Sequence, residues 1–229
     1  MAYRLGVDVG GTFTDLILVK EESGDTFSAK VPSTPEDSSI GVFNGISKVC
    51  AEAGIDPKDI THVMHGTTVA TNTVLTGTGA NVGLVTTKGY RQVLQIARSF
   101  VPGGLGGWVI YNKSLPLAPL GLTIEADARM RAGGEIVDEV NDAQVREELS
   151  KLKDKGIEAL TVCLINAFAN DANEKRIAEL AAEVMPDIPV SLSSEVVPEM
   201  QEYERAITTV ANSYVRPRVE KYMQNLQSE

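Results

Sequence analysis

The chain has 229 residues, 43% of them hydrophobic and 5% aromatic, with 21 Lys+Arg against 31 Asp+Glu, two Cys and two His. A polypeptide of this size hides roughly 70% of the surface its extended form exposes, so one sizeable core or two small ones form without disulfide staples. A formal charge of −10 excludes broad phosphate-backbone contact, which needs a basic stripe, so nucleic acid is not an expected partner.

From the N-terminus, Tyr3 to Val9 is apolar and β-prone, Gly10-Gly11-Thr12 reads as a turn, and Asp15 to Lys20 resumes the strand pattern, which predicts an antiparallel hairpin. Asp25 to Val31 offers a third strand. Pro32 and Pro35 punctuate before Glu36 to Gly54, where Ile40, Val42, Phe43, Ile46 and Val49 recur at helical spacing and Gly54 suits a C-cap. Further strands are predicted at Thr61 to Met64, Asn81 to Thr86, Glu158 to Ile165 and Ile188 to Leu192, separated by helices near Val69 to Leu75, Asp142 to Lys155 and Asn173 to Val184. Strand and helix alternate, so the class is α/β. Residues 99–121 break the rhythm: Pro102, Gly103, Gly104, Gly106, Gly107, the single Trp108, Pro116 and Pro119 crowd a loop that is either functional or mobile. Tyr203 to Leu226 reads as a long helix with Val210, Tyr214, Val219 and Tyr222 on one apolar face and Pro217 weakening its middle.

Cys50 and Cys163 lie far apart with no C-x-x-C pair, so no structural zinc is expected, a reducing compartment is the default, and both thiols read as small buried hydrophobes. The opening Met1-Ala2-Tyr3-Arg4 has no charged-then-apolar leader, and no apolar run approaches the ~20 residues a bilayer crossing needs. The expectation is a cytoplasmic protein with no membrane partner.

Three segments carry candidate chemistry. In Asp8-Val9-Gly10-Gly11-Thr12-Phe13-Thr14-Asp15, a carboxylate at the end of an interior strand calls for a cation, and a bound metal meets that need. The glycines let the backbone bring the amides of Gly11, Thr12 and Phe13 toward one point, with the hydroxyls of Thr12 and Thr14 as added donors for phosphate; an ordinary hairpin whose Asp caps its own turn is the plainer alternative. No G-x-x-x-x-G-K-[ST] occurs, Gly77-Thr78-Gly79 lacks the third glycine of a dinucleotide fingerprint, and there is no G-x-S-x-G elbow. In His65-Gly66-Thr67-Thr68, a glycine after a strand and a Thr cap before a helix expose N–H groups at a mouth where His65 sits, as a ligand or as a structural hydrogen bonder. In Ser193-Ser194-Glu195 through Arg205, the serines suit caps and Glu199, Glu202 and Glu204 suit a helix dipole, whereas Glu195 stands near a strand end where α/β sites gather.

Together these segments resemble the N-terminal part of the hydantoinase A / 5-oxoprolinase family, which includes ketone carboxylase subunits. The resemblance rests on DVGGTFTD at Asp8 to Asp15, HGTTVATN at His65 to Asn72, VGLVTTKGY at Val82 to Tyr90 and EVVPEMQEYERAITTVANSYVRP from Glu195 to Pro217, nearly the whole chain in the family's order. It implies a ribonuclease-H-like lobe of the actin and sugar-kinase type, a mixed sheet with flanking helices over residues 1–202, and a long connecting helix over 203–229 that leads toward a second lobe. It implies ATP and magnesium, with Asp8 on the metal, Gly10, Gly11 and Thr12 on the phosphates, His65, Thr67, Thr68 and Asn72 facing the cleft, and Glu195 near the reacting phosphate. Asp8, His65 and Glu195 are thus the candidate catalytic residues. The implied reaction is ATP-dependent opening of a cyclic amide by phosphorylation of its carbonyl; the alternatives are phosphorylation of a ketone's enolate in a carboxylase, and a non-catalytic binding module. Family members usually carry a second D-x-G-G-T-type loop in a second lobe, and this chain has one, so alone it forms half of an ATP cleft. The expected partners are a small cyclic amide or ketone and a second lobe or subunit packed on the apolar face with Tyr214 and Tyr222, a face that would favour homodimers if left exposed.

Overall fold

The computed structural model describes residues 2–34, 37–98 and 114–228. The greater part of the glycine-rich loop, residues 99–113 with Trp108, therefore lies outside the described residues. The chain divides into two compact units, one of Met1–Thr78 with Arg218–Glu229 and one of Gly79–Pro217.

The first unit holds β1 (Tyr3–Val9), β2 (Phe13–Lys20), β3 (Thr26–Pro32), α1 (Ser38–Ala53), β4 (Ile60–Thr67) and α2 (Val69–Thr76). Its sheet runs β3-β2-β1-β4, with β1 antiparallel to β2, β2 antiparallel to β3, and β1 parallel to β4. The hairpin register pairs Tyr3 with Lys20 and Asp8 with Asp15. A strand's side chains alternate faces, and here Tyr3, Leu5, Val7 and Val9 join Leu16, Leu18, Ala29 and Val31 in one core with Val42 and Val49 of α1. The helix approaches closely because Gly45 has no side chain: a Cβ there would lie 2.1 Å from Leu16 Cδ1. Asp37 caps α1 by accepting from the Ser39 amide at 3.0 Å, and Gly54 ends it in the left-handed region at φ 67°. Residues 218–228 complete this unit, with Leu226 packed against the same core.

The second unit holds β5 (Val82–Thr87), α3 (Val93–Ile96), β6 (Thr123–Ala126), β7 (Arg129–Met130), β8 (Ile136–Asp138), α4 (Asp142–Asp154), β9 (Ala159–Cys163), α5 (Ala172–Val184), β10 (Val190–Leu192), α6 (Ser193–Val196) and the greater part of α7 (Glu202–Ser228). Its four-stranded sheet, β10-β9-β5-β6, is parallel throughout, and β7 and β8 form a separate hairpin. Both faces are covered: Val85, Leu160 and Val162 pack with Leu149 and Leu152 of α4 and Ile177 and Leu180 of α5, while Val82, Leu84 and Cys163 pack with Ala206, Val210 and Tyr214 of α7. That is why β5 is buried at every position, the pattern of a parallel strand between two layers.

The α/β class with flanking helices and a long C-terminal helix is as expected. The structure differs from the sequence expectation in several places. The short strands β6, β7 and β8, of four, two and three residues, are too brief for a periodicity reading, and they pair with β5 and with each other. Pro217 lies inside an unbroken α7, and the boundary between the two units falls directly after it. Tyr214 and Tyr222, expected to meet a partner, are already covered within the chain at 8% and 5% exposure.

Candidate functional site

The first unit brings two of the three motif segments together. β1 and β4 run parallel and in register, so Asp8 stands beside Gly66 and Val9 beside Thr67. Just past those ends the hairpin turn closes with the Gly10 amide donating to Phe13 O at 3.0 Å. Ser33, after β3, braces the turn from below: its amide donates to Thr12 O at 2.9 Å and its hydroxyl to Gly10 O at 2.8 Å. Thr68 braces it from the side, since its amide and its hydroxyl both donate to Val9 O, at 3.0 and 3.1 Å.

The glycines serve this arrangement by lacking a Cβ rather than by left-handed backbone. Neither has a positive φ. A Cβ on Gly10 would lie 2.9 Å from Phe13 O, and one on Gly11 would lie 2.9 Å from Asn72 Nδ2, whose amide in turn donates to Thr68 Oγ1 at 3.1 Å. Asn72 thus lies against the turn. Gly11 and Thr12 are exposed, and among the described residues no protein group accepts from their amides.

Asp8 differs from the expectation of an interior carboxylate. The sheet is covered on one face only, and Asp8 points to the other, exposed face, where desolvation costs little. There it faces Asp15 across the hairpin. Lys30 takes Asp15, with Nζ 2.8 Å from both of its carboxylate oxygens and 4.9 Å from the centre of the Phe13 ring. Among the described residues Asp8 has no ion pair and no hydrogen bond. Asp8, Asp15, Gly6, Ile17, Lys30 and Met64 line a concavity of about 750 Å³ on this open face.

The other residues singled out from the sequence fall as follows. Thr14 points inward, fully buried, with its hydroxyl 3.0 Å from Ser33 Oγ, so it supports the turn from beneath. Thr68 stands at the N-cap of α2, yet its hydroxyl binds Val9 O, so it does not cap that helix; the Thr67 hydroxyl accepts from the Val69 amide at 3.2 Å. His65 Nε2 lies 2.7 Å from the hydroxyl of Tyr222. Burial holds the His65 pKa below its ordinary value, with the Asp8 charge opposing. Glu195 is exposed on α6, in the second unit, and so is not in the unit that carries Asp8 and His65.

Around Glu195 the sequence reading missed the residue that organises the segment. Glu174 of α5 is fully buried and accepts from the Leu164 amide at 2.9 Å, Ser193 Oγ at 2.6 Å, Ser194 N at 2.9 Å and Ser194 Oγ at 2.8 Å. The two serines therefore donate to a carboxylate instead of capping a helix. Arg205, also fully buried, donates to Ser193 Oγ, Glu199 O and Leu164 O at 3.0, 2.8 and 2.6 Å. A glutamate within an ordinary amphipathic helix gives no sequence signal of such a role. Among the described residues no group of three or more His, Cys, Asp or Glu is placed to hold a metal ion, and no helix is long and apolar enough to cross a membrane.

Residues 4–185 match the Hydantoinase/oxoprolinase N-terminal region. The chain belongs to that family. Among members of known character it is 30% identical over 228 residues to caprolactamase subunit alpha of Pseudomonas jessenii, covering 98% of this chain and 33% of that protein. It is 32% identical over 233 residues to the acetophenone carboxylase gamma subunit of Aromatoleum aromaticum, covering 93% of this chain and 31% of that subunit. The crystal structure of the ATP-dependent caprolactamase from Pseudomonas jessenii superposes with a TM-score of 0.87 at 29% identity, over 98% of this chain and 33% of that one. A nucleotide-free acetone carboxylase gives 0.88 at 22% identity over 98% and 34%, which shows the shared fold. This hydantoinase/oxoprolinase chain thus spans about a third of the length of these relatives.

Proposed function

We propose that this chain is the ATP-phosphate-binding lobe of an ATP-dependent ring-opening amidohydrolase, with residues 1–202 as the lobe and 203–229 as the helix leading to the rest of the enzyme. The observation that carries the reading is the pairing of an exposed carboxylate, Asp8, with two turn amides, of Gly11 and Thr12, none of which has a protein partner among the described residues. The donor set fits a magnesium nucleotide. One carboxylate is too few to hold a hard cation by itself, but magnesium is ordinarily held by one or two carboxylates together with phosphate oxygens and water. Asp8 would hold the metal, and the metal would supply charge neutralisation for the transferring phosphoryl group.

The chain's own residues do the rest. The Gly11 and Thr12 amides face phosphate oxygens, while the Gly10 amide is spent on closing the turn to Phe13 O, and Ser33, Thr14, Thr68 and Asn72 hold that backbone in place before a ligand arrives. Such a site asks for positioning rather than a covalent nucleophile. A lactam amide is resonance-stabilised; moving the γ-phosphoryl of ATP to its carbonyl oxygen, with ADP leaving, makes the carbon electrophilic. A water then adds to that carbon, the ring C–N bond breaks as the nitrogen takes a proton and leaves an acyl phosphate, and a second water hydrolyses the acyl phosphate to carboxylate and phosphate. The identity to the acetophenone carboxylase subunit favours a second reading, in which the same transfer traps an enolate.

The chemistry is tested by titrating ATP with magnesium into the 229-residue chain while following the Gly11 and Thr12 amides by NMR. They are expected to shift in the wild type, and Asp8→Asn should require at least about tenfold more nucleotide, the scale of a lost charge-assisted contact. Amides unmoved at millimolar nucleotide, or moved equally in Asp8→Asn, would remove the site. In the complete enzyme, ATP hydrolysis stimulated by lactams, hydantoins or oxoproline supports the amidohydrolase; stimulation only by acetone or acetophenone with bicarbonate supports the carboxylase.

A further inference from the structure

Tyr222 lies in the last part of α7, within the first unit, and is 5% exposed. Its hydroxyl is 2.7 Å from His65 Nε2, and the two rings are 5.6 Å apart at a tilt of 37°. A phenol buried this deeply must find an acceptor for its proton, because an unmade buried donor costs more than a made bond contributes. His65 Nε2 is the acceptor at hydrogen-bond distance. The other polar group beside the phenol is the Thr67 hydroxyl, which accepts from the Val69 amide at 3.2 Å. Burial pushes the Tyr222 pKa up to about 12, opposed by the Thr67 hydroxyl and reinforced by the Asp37 charge. With the phenol as the donor, the bond runs from Tyr222 O–H to His65 Nε2. In a neutral imidazole one nitrogen accepts and the other carries the proton, which places the His65 proton on Nδ1.

That second nitrogen has no hydrogen-bond partner among the described residues. His65 sits opposite Val7, one step below the Asp8–Gly66 pair and two below Thr67, so it lies near the strand end that carries the turn, on the face of Val7 rather than that of Asp8.

We propose that Tyr222 is a positioning residue: by donating to Nε2 it fixes His65 as the Nδ1–H tautomer and leaves that N–H as a donor to a phosphate oxygen of the nucleotide held at the turn. This rests on the phosphate reading of Asp8, Gly11 and Thr12.

The test uses the full chain labelled with ¹⁵N. With two histidines there are two ring systems, and His62→Gln assigns them. Long-range ¹H–¹⁵N correlation should show His65 protonated on Nδ1 and bare on Nε2, and its Nδ1–H resonance should move on addition of ATP with magnesium. Tyr222→Phe keeps the ring and removes the donor; it should return His65 to the Nε2–H form that dominates free imidazole and weaken nucleotide binding roughly three- to tenfold, within the range of one neutral hydrogen bond. The wild-type spectrum fixes the tautomer even if that variant folds poorly. A wild-type Nε2–H ring overturns the proposal, as does an Nδ1–H ring that ignores the nucleotide while the Gly11 and Thr12 amides respond; in that last case the phosphate reading stands. If neither the ring nor those amides respond, the phosphate reading fails and the donor role fails with it.

Discussion

The turn after Asp8 and the turn after Leu192 look alike in sequence, each being small polar residues at a strand end with a carboxylate close by, and the structure makes them opposites. At the first, Asp8 and the amides of Gly11 and Thr12 are exposed and, among the described residues, without protein partners, while Ser33 and Thr68 brace the turn beneath them. At the second, the two serines donate to the buried Glu174, and the buried Arg205 donates to Ser193 Oγ and to the carbonyls of Glu199 and Leu164. That network is buried at Glu174, Ser193 and Arg205 and partly so at Ser194. Polar groups in a water-free interior must be paired for the fold to survive, so a saturated network reports on stability. Groups held rigidly at the surface with bonds still to make report on a ligand. The difference separates the two segments where residue type could not.

The comparison breaks most readily at Glu174. Replacing it with Ala strands Ser193, Ser194 and the Leu164 amide without an acceptor, and is expected to lower unfolding free energy by about 3–5 kcal/mol in urea titration, with Gln costing less. A loss below about 1 kcal/mol would place the segment's order elsewhere. The next effect concerns the covered face of the first unit: Gly45→Ala drives a methyl to 2.1 Å from Leu16 Cδ1, and overpacking of this kind costs about 1–3 kcal/mol. A Leu16→Ala background should relieve much of that cost; no relief would mean that another contact limits the approach of α1. Smaller again is Gly11→Ala, whose methyl meets only the movable end of Asn72. Its stability should change within about 0.5 kcal/mol, whereas nucleotide-induced shifts of the turn amides should need several-fold more ATP, and Asn72→Ala should restore them. The least perturbing probe is thiol labelling. Burial pushes the Cys163 pKa up to about 11, and burial likewise raises that of Cys50, so at pH 8 both stay protonated in the fold. Neither should react until the chain is unfolded, and rapid labelling of native Cys163 would show that the network beside it opens.

Much of the layout was legible in the residues alone, for identifiable reasons. The Gly10-Gly11 turn between two apolar runs specifies a hairpin because alternation and turn chemistry act locally. Gly54 ends α1 for the same reason. The motif strings carried the family. What was not legible depended on which face of an element is covered. Asp8 reads as interior from its neighbours in β1, but α1 covers only one side of the sheet, and alternation sends Asp8 to the other. Thr14 reads as a ligand donor from its place in the motif, yet the same alternation turns it inward to Ser33. Tyr222 reads as one more apolar position on a helix, and only the path of α7 brings its hydroxyl to His65, 157 residues away.

The amino-acid order alone sufficed for the class, the turns, the helix ends and the kinship, since these follow from periodicity, backbone preference and short-range contacts. Tertiary packing decided which polar groups are spent inside the protein and which remain to bind something else. That decision is not local, because a donor is satisfied or not by whatever distant segment the fold brings within about 3 Å of it.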